Sequence, residues 1–151
     1  MFSVYDREGV SLAYPQNWRL EEEQSEDASL QLSIMSPGAA FWTLAVYSGL
    51  HDLRGLADQA LEALREEYPE LEQHDAEETV ADVSLVGHDV DFIYLDLANS
   101  ASIRVCHHGE STMLLFSQAE YRESKTAGPV FQAIATSLFS NEPLAPKAIE
   151  E

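Results

Sequence analysis

The alternation of apolar and polar residues between positions 79 and 119 predicts a meander of short strands, at residues 79–86, 89–97, 102–107 and 112–117. The pairs Gly87-His88 and Gly109-Glu110 are predicted hairpin turns, because glycine in the first position is typical of type II′ turns. Asn99-Ser100 is predicted to form the turn between them. Strands joined by such short turns pair in an antiparallel sheet.

The second of these strands carries apolar residues on both faces, which indicates that both faces of the sheet are covered. Four further strands are predicted before the meander, at residues 2–5, 10–14, 30–34 and 41–47. The first two flank a turn at 6–9 and form a hairpin, which Pro15 ends. Trp18 follows and is expected to pack at the end of the sheet.

Two segments show the spacing of amphipathic helices. Asp52 is a suitable N-cap, and apolar residues follow it at helical spacing up to Tyr68, where Pro69 ends the helix. A second helix is predicted after the meander, with Pro129 in its first turn and Leu138 on its buried face.

Runs of strands separated by helices indicate an α+β fold. The expected arrangement is a three-layer α/β/α sandwich. It has a central antiparallel sheet of about six strands, an N-terminal β-hairpin and one helix on each face. The length favours a single domain over residues 1–140. Residues 141–151 hold two prolines and are predicted to form a flexible tail.

Acidic residues outnumber basic ones 27 to 8, a formal charge of −19. Such a surface repels phosphate, so we expect no nucleic-acid partner and no association with anionic membranes. The expected partner is another protein with a basic surface. Acidic stretches at 21–27 and 70–78 are predicted to be a loop and a connection, or a docking face for that partner.

The single cysteine, Cys106, allows no intrachain disulfide. The chain shows neither a membrane-spanning apolar run nor a signal-peptide pattern, so we expect a cytoplasmic protein. Cys106 and His108 lie on the same side of a predicted strand and are residue types that bind zinc. A small metal-binding protein that uses them with nearby carboxylates is the alternative function; a buried cysteine beside rim histidines is the structural explanation.

Asp89 and Asp91 share a strand face, and paired carboxylates bind calcium or act as acid and base; a solvated strand start also explains them. Trp18, Phe41 and Trp42 are candidates for an aromatic binding groove, with core packing as the alternative. Phosphate-binding, dinucleotide-binding and nucleophile-elbow motifs are absent from the sequence. We therefore expect no enzyme activity and no cofactor.

The segment from Tyr5 to Trp18, with its aromatic-Asp start, its Gly-apolar strand and Tyr14-Pro15-Gln16-Asn17-Trp18, resembles the opening of the PsbP family. The meander and the last helix are similar to the second half of that family, so the resemblance covers residues 2–140. The wider superfamily includes Mog-type nuclear transport factors, DcrB-like lipoproteins and acidic chaperones of secreted effectors. The resemblance implies an αβα sandwich that binds proteins and usually does no chemistry.

The amino terminus departs from the family, because neither a transit peptide nor a lipobox cysteine precedes the matching segment. A thylakoid-lumen or lipoprotein role is therefore not expected. The combined prediction is a non-enzymatic protein-binding, adaptor or chaperone domain. The partner's identity and the oligomeric state stay open.

Overall fold

The computed structural model describes residues 1–140, so the predicted tail at 141–151 lies outside the described residues. Within residues 1–140 the chain forms nine strands and two helices: β1 Phe2–Arg7, β2 Val10–Pro15, β3 Arg19–Glu22, β4 Leu30–Met35, β5 Phe41–Ser48, α1 Leu53–Glu67, β6 Glu72–Val80, β7 Val83–Tyr94, β8 Leu97–His108, β9 Ser111–Glu120 and α2 Tyr121–Phe139.

Strands β3 to β9 form one antiparallel sheet of seven strands, in the order β3-β4-β5-β9-β8-β7-β6, and β1 pairs with β2 in a separate hairpin. The α+β class, the antiparallel sheet and the N-terminal hairpin are confirmed. The predicted strands 79–86 and 89–97 lie largely in one strand, β7, but the structure adds two others, so the sheet has one strand more than the six predicted. The added strands are β3, which contains Glu21 and Glu22 of the first acidic stretch, and β6, which contains most of the second. These are the two edge strands, where charged side chains are tolerated because one side of the strand faces water.

Two predicted turns of the meander are wrong. Gly87-His88 lies inside β7 and Asn99-Ser100 lies inside β8. The chain turns instead at Ala81-Asp82 and Leu95-Asp96, where φ is positive at all four residues (48°, 70°, 52° and 65°). Type I′ turns need positive φ at both central positions and usually use Asn-Gly or Asp-Gly. The turn at Gly109, with φ 62°, is where it was predicted.

Gly87 serves a different purpose from the turn predicted for it. It pairs with Arg104 of β8, and a Cβ on Gly87 would clash with the Ile103 carbonyl group, lying 2.7 Å from its carbon atom. Glycine is therefore needed for close approach of two strand backbones in the middle of the sheet.

The sheet buries apolar side chains on both faces. Ile103 and Val105 of β8 pack in one cluster with the buried face of α1. Cys106, the next residue, points to the opposite face and packs with α2 and the β1–β2 hairpin. One helix thus covers each face, in agreement with a sandwich.

The first helix is confirmed, and the start of the second is corrected. The Asp52 side chain caps α1 by accepting a hydrogen bond from the Gly55 backbone N–H at 3.2 Å. Helix α2 begins directly after β9, where the Glu120 carboxylate accepts from the Arg122 N–H at 2.6 Å. Pro129 therefore lies in the helix interior rather than in its first turn.

We expect the Gly87→Ala variant to lose about 3 kcal/mol of unfolding free energy or more, because the added methyl group meets backbone atoms of β8 that cannot move independently. Chemical denaturation monitored by circular dichroism measures this change. Gly128→Ala is the control, since open space surrounds that position, and it should raise stability by up to about 1 kcal/mol, because alanine is the better helix former. Equal effects of the two substitutions would contradict the close-approach explanation.

Candidate functional site

The hairpin formed by β7 and β8 extends beyond its neighbours in the sheet. Pairing of β6 with β7 begins at Glu72 and Asp91, and pairing of β9 with β8 ends at Glu120 and Asn99. The seven residues 92–98, which we call the hairpin tip, therefore project past the strands on either side. An edge of strand backbone is left without a sheet neighbour there.

The hairpin tip is apolar and exposed. Ile93 is 65% exposed and Leu95 75%, and Tyr94 and Leu97 are exposed beside them. Tyr121, at the start of α2, is also exposed on this side of the molecule. Single exposed apolar residues are common on protein surfaces, but a contiguous group at a projecting element is typical of an interaction site.

A cavity of about 660 Å³ lies between the hairpin tip, the end of α1 and Tyr121. We call it the tip groove. Its wall is a small aromatic cluster in which the Tyr68 ring stacks on Phe92 at 4.1 Å and meets Tyr94 edge-on at 5.9 Å. Tyr68 is placed there because it is the C-cap of α1, where Pro69 stops the helix. Aromatic rings in such a groove present a rigid apolar surface to a ligand.

Carboxylates surround this apolar wall. Glu67, Glu70, Glu72 and Asp91 line the tip groove, and no arginine, lysine or histidine of residues 1–140 lines it. The Asp91 carboxylate accepts a hydrogen bond from the Ser100 hydroxyl at 2.9 Å. Burial, together with the neighbouring negative charge of Glu67, raises the pKa of Tyr68 above its ordinary value, and the hydroxyl is neutral at physiological pH with or without this shift.

The three aromatic residues predicted from the sequence do not form one groove. Trp42 is almost fully buried, and Trp18 is half-buried with its ring edge-on to Phe131 at 6.0 Å. Phe41 contacts Phe116 at 5.9 Å, and Phe116 packs with the cluster under α1. Trp42 and Phe41 therefore occupy opposite faces of the sheet, as adjacent strand residues must.

The candidate metal ligands lie in a packed environment. Cys106 is fully buried, and desolvation raises the pKa of its thiol to about 12, which disfavours the thiolate that binds metal. The His108 ring packs against Phe139 at 5.7 Å. Over residues 1–140 no group of three or more His, Cys, Asp or Glu side chains is arranged to hold a metal ion.

The paired aspartates on β7 have different polar partners. The Asp89 carboxylate forms an ion pair with Arg104 at 2.8 Å, and Asp91 lines the tip groove. Arg104 also contacts Glu78 at 2.6 Å, so Asp89 belongs to a structural ion network. Both aspartates also border a cavity beside α2, but their carboxylates have different partners there, Arg104 for Asp89 and Ser100 for Asp91.

Comparisons with proteins of known structure identify the fold. Cyanobacterial PsbP (CyanoP) from Synechocystis sp. PCC 6803 superimposes with a TM-score of 0.63 at 8% identity, over 90% of each chain. The chain has a PsbP-like fold. At this level of identity the likeness concerns architecture alone. No protein-family model matches the sequence, and no curated protein does.

Two further structures share the PsbP-like fold. LpqN of Mycobacterium tuberculosis, a protein involved in cell envelope biogenesis, gives a TM-score of 0.54 at 16% identity over 83% of this chain and 79% of LpqN. A protein of unknown function from Pseudomonas aeruginosa, PA94, gives 0.52 at 10% identity over 97% and 98%. Neither helix of residues 1–140 has the length and apolar character to cross a membrane.

The tip groove is a feature that the sequence pattern does not reveal. The run from Phe92 to Leu97 is apolar on both faces, and such a run ordinarily indicates burial. Exposure arises because β6 begins late and β9 ends early relative to this hairpin, and sequence periodicity does not report register between strands.

We expect native Cys106 to react with iodoacetamide at pH 8 at least about 100-fold more slowly than the urea-unfolded chain. Both the raised pKa and the burial lower the reactive thiolate population. Mass spectrometry of timed samples measures the rate. Modification of the folded chain at the unfolded rate would contradict this placement of the thiol.

Proposed function

We propose that this chain is a non-enzymatic protein-binding domain and that the tip groove receives its partner. The observation that carries the proposal is the projecting, exposed apolar hairpin tip beside a cavity with an aromatic wall. Exposing Ile93 and Leu95 to water costs free energy in the isolated chain, and a partner that covers them recovers it.

The fold supports this proposal. The sequence resemblance implied a protein-binding sandwich of the PsbP type, and solved PsbP-like structures share the architecture. The adaptor or chaperone role is the finer form of the same proposal. Cys106 is a free, buried thiol, which agrees with the reducing cytoplasmic location proposed for the protein.

The tip groove is a better binding candidate than Trp18, Phe41 and Trp42. A partner reaches a groove only through exposed side chains, and Trp42 is 2% exposed. The metal-binding alternative has no specific support, because Cys106 is packed among apolar residues of the α2 core. Protein binding at the tip groove is therefore the function that the geometry favours.

Selection from a random peptide library displayed on phage tests this function and does not require the partner to be identified first. The purified chain is the target. We expect enriched peptides to lose at least about tenfold in affinity for the variant Ile93→Ser/Leu95→Ser, because the apolar contact area is removed. Surface plasmon resonance with the synthesised peptides measures the change.

Phe2→Ser/Val4→Ser is the matched control. It also removes two exposed apolar side chains, from β1, which does not line the tip groove. This variant should bind the selected peptides like the unmodified chain. Peptides that bind the tip variant and the unmodified chain equally, or a selection that enriches none, would count against the proposal.

A further inference from the structure

We infer that the segment bound in the tip groove carries a large apolar side chain flanked by lysine or arginine. This inference rests on the proposed function and adds the chemistry of the partner. The apolar wall accounts for the central side chain. The distribution of charge around that wall accounts for its neighbours.

The arginines of the protein are paired with carboxylates elsewhere in the structure. All six arginines are within ion-pair distance of carboxylates that do not line the tip groove, in the pairs Arg7–Glu22, Arg19–Glu21, Arg54–Glu77, Arg65–Glu62, Arg104–Glu78 and Arg122–Glu120. The groove carboxylates Glu67, Glu70 and Glu72 have no ion-pair partner among residues 1–140. Negative charge therefore accumulates around an apolar surface.

Such an arrangement selects the charge of the ligand. Carboxylates beside a low-dielectric wall attract cations over several ångströms and accelerate their encounter. Lysine and arginine also have long apolar stems that pack along aromatic rings while the charged end reaches a carboxylate. A segment with apolar and basic residues close together contacts the apolar wall and the groove carboxylates at the same time.

The same charges disfavour the other occupants of an apolar surface. A second copy would bring two sets of groove carboxylates together, in a chain whose net charge is −19. Anionic membranes are repelled in the same way. Residues 141–151 contain three glutamates and one lysine, so they carry net negative charge like the groove carboxylates and are disfavoured as the occupant.

Synthetic peptides of defined charge test the inference. The probe is a fluorescein-labelled 12-residue peptide with leucine and tryptophan in the centre and three lysines on either side. One comparison peptide has glutamate in place of every lysine, and another has serine in place of the apolar residues. By fluorescence anisotropy at low salt, we expect the first peptide to bind at least about tenfold more tightly than either comparison peptide.

Two protein variants distinguish the effect of the groove carboxylates from the effect of the overall negative charge. Glu67→Gln/Glu70→Gln/Glu72→Gln removes the groove carboxylates and should weaken binding of the lysine peptide about tenfold or more. The control Glu26→Gln/Asp27→Asn/Glu110→Gln removes three exposed charges near the opposite end of the sheet and should weaken it less than about threefold. Thermal melts establish that both variants fold.

Several results would overturn the inference. They are equal or tighter binding of the glutamate peptide, equal losses in the two charge variants, and no binding of the lysine peptide. Sedimentation analysis showing a dimer that Ile93→Ser/Leu95→Ser abolishes would assign the groove to a second copy. Co-sedimentation with phosphatidylcholine vesicles would assign it to a membrane. If library peptides of neutral or acidic character bind at the tip, the proposed function survives and only the basic partner is refuted.

Discussion

The two-sided burial of the central strands is the constraint on which the rest of this structure depends. Strand β8 sends Ile103 and Val105 into the core under α1 and Cys106 into the core under α2. Strands β7 and β9 likewise contribute to both cores, so the two helices are coupled through the central strands of the sheet. The same requirement explains Gly87, because the backbones of β7 and β8 approach too closely there for a side chain.

Some of the few cations connect elements of the fold to one another. The side chain of Arg104 is largely buried and connects Glu78 of β6 with Asp89 of β7. His88 is also buried, and its Nε2 atom lies 2.9 Å from the Asp58 carboxylate on α1. These contacts hold the acidic edge strand β6 and helix α1 against the rest of the sheet. The groove carboxylates Glu67, Glu70 and Glu72 take no part in these contacts.

Much of the fold could be predicted from the sequence, because periodicity reports which face of an element is buried. Helix α1 is located between its Asp52 cap and Pro69 in this way. Elements escape prediction where local chemistry and context disagree. The acidic composition of β6 is typical of a loop, but the segment pairs with β7 and is a strand. Gly87 was predicted in a turn because glycine is typical of turns, but glycine is equally suited to positions where two strand backbones approach closely.

The candidate site is less predictable than the fold. Trp18, Phe41 and Trp42 stand out by residue type, yet residue type does not distinguish a buried aromatic from an exposed one. The hairpin tip depends on where β6 begins and β9 ends, which is a property of strand register. Cys106 and His108 share a strand face as predicted, but α2 fills the space beside them with apolar side chains.

The turn at the hairpin tip, like that at Ala81-Asp82, carries a conformational cost that the β1–β2 and β8–β9 turns reduce by using glycine. Leu95 adopts φ 52°, a left-handed conformation that costs a residue with a Cβ about 1 kcal/mol, whereas the β1–β2 turn places Gly9 at φ 83°. Directed evolution for heat resistance would favour Asn-Gly at 95–96 and would thereby delete the most exposed leucine of the tip. A more stable turn and an exposed apolar side chain for binding therefore exclude each other at this one position. A leucine retained there in thermophilic proteins of this fold would indicate that selection maintains binding.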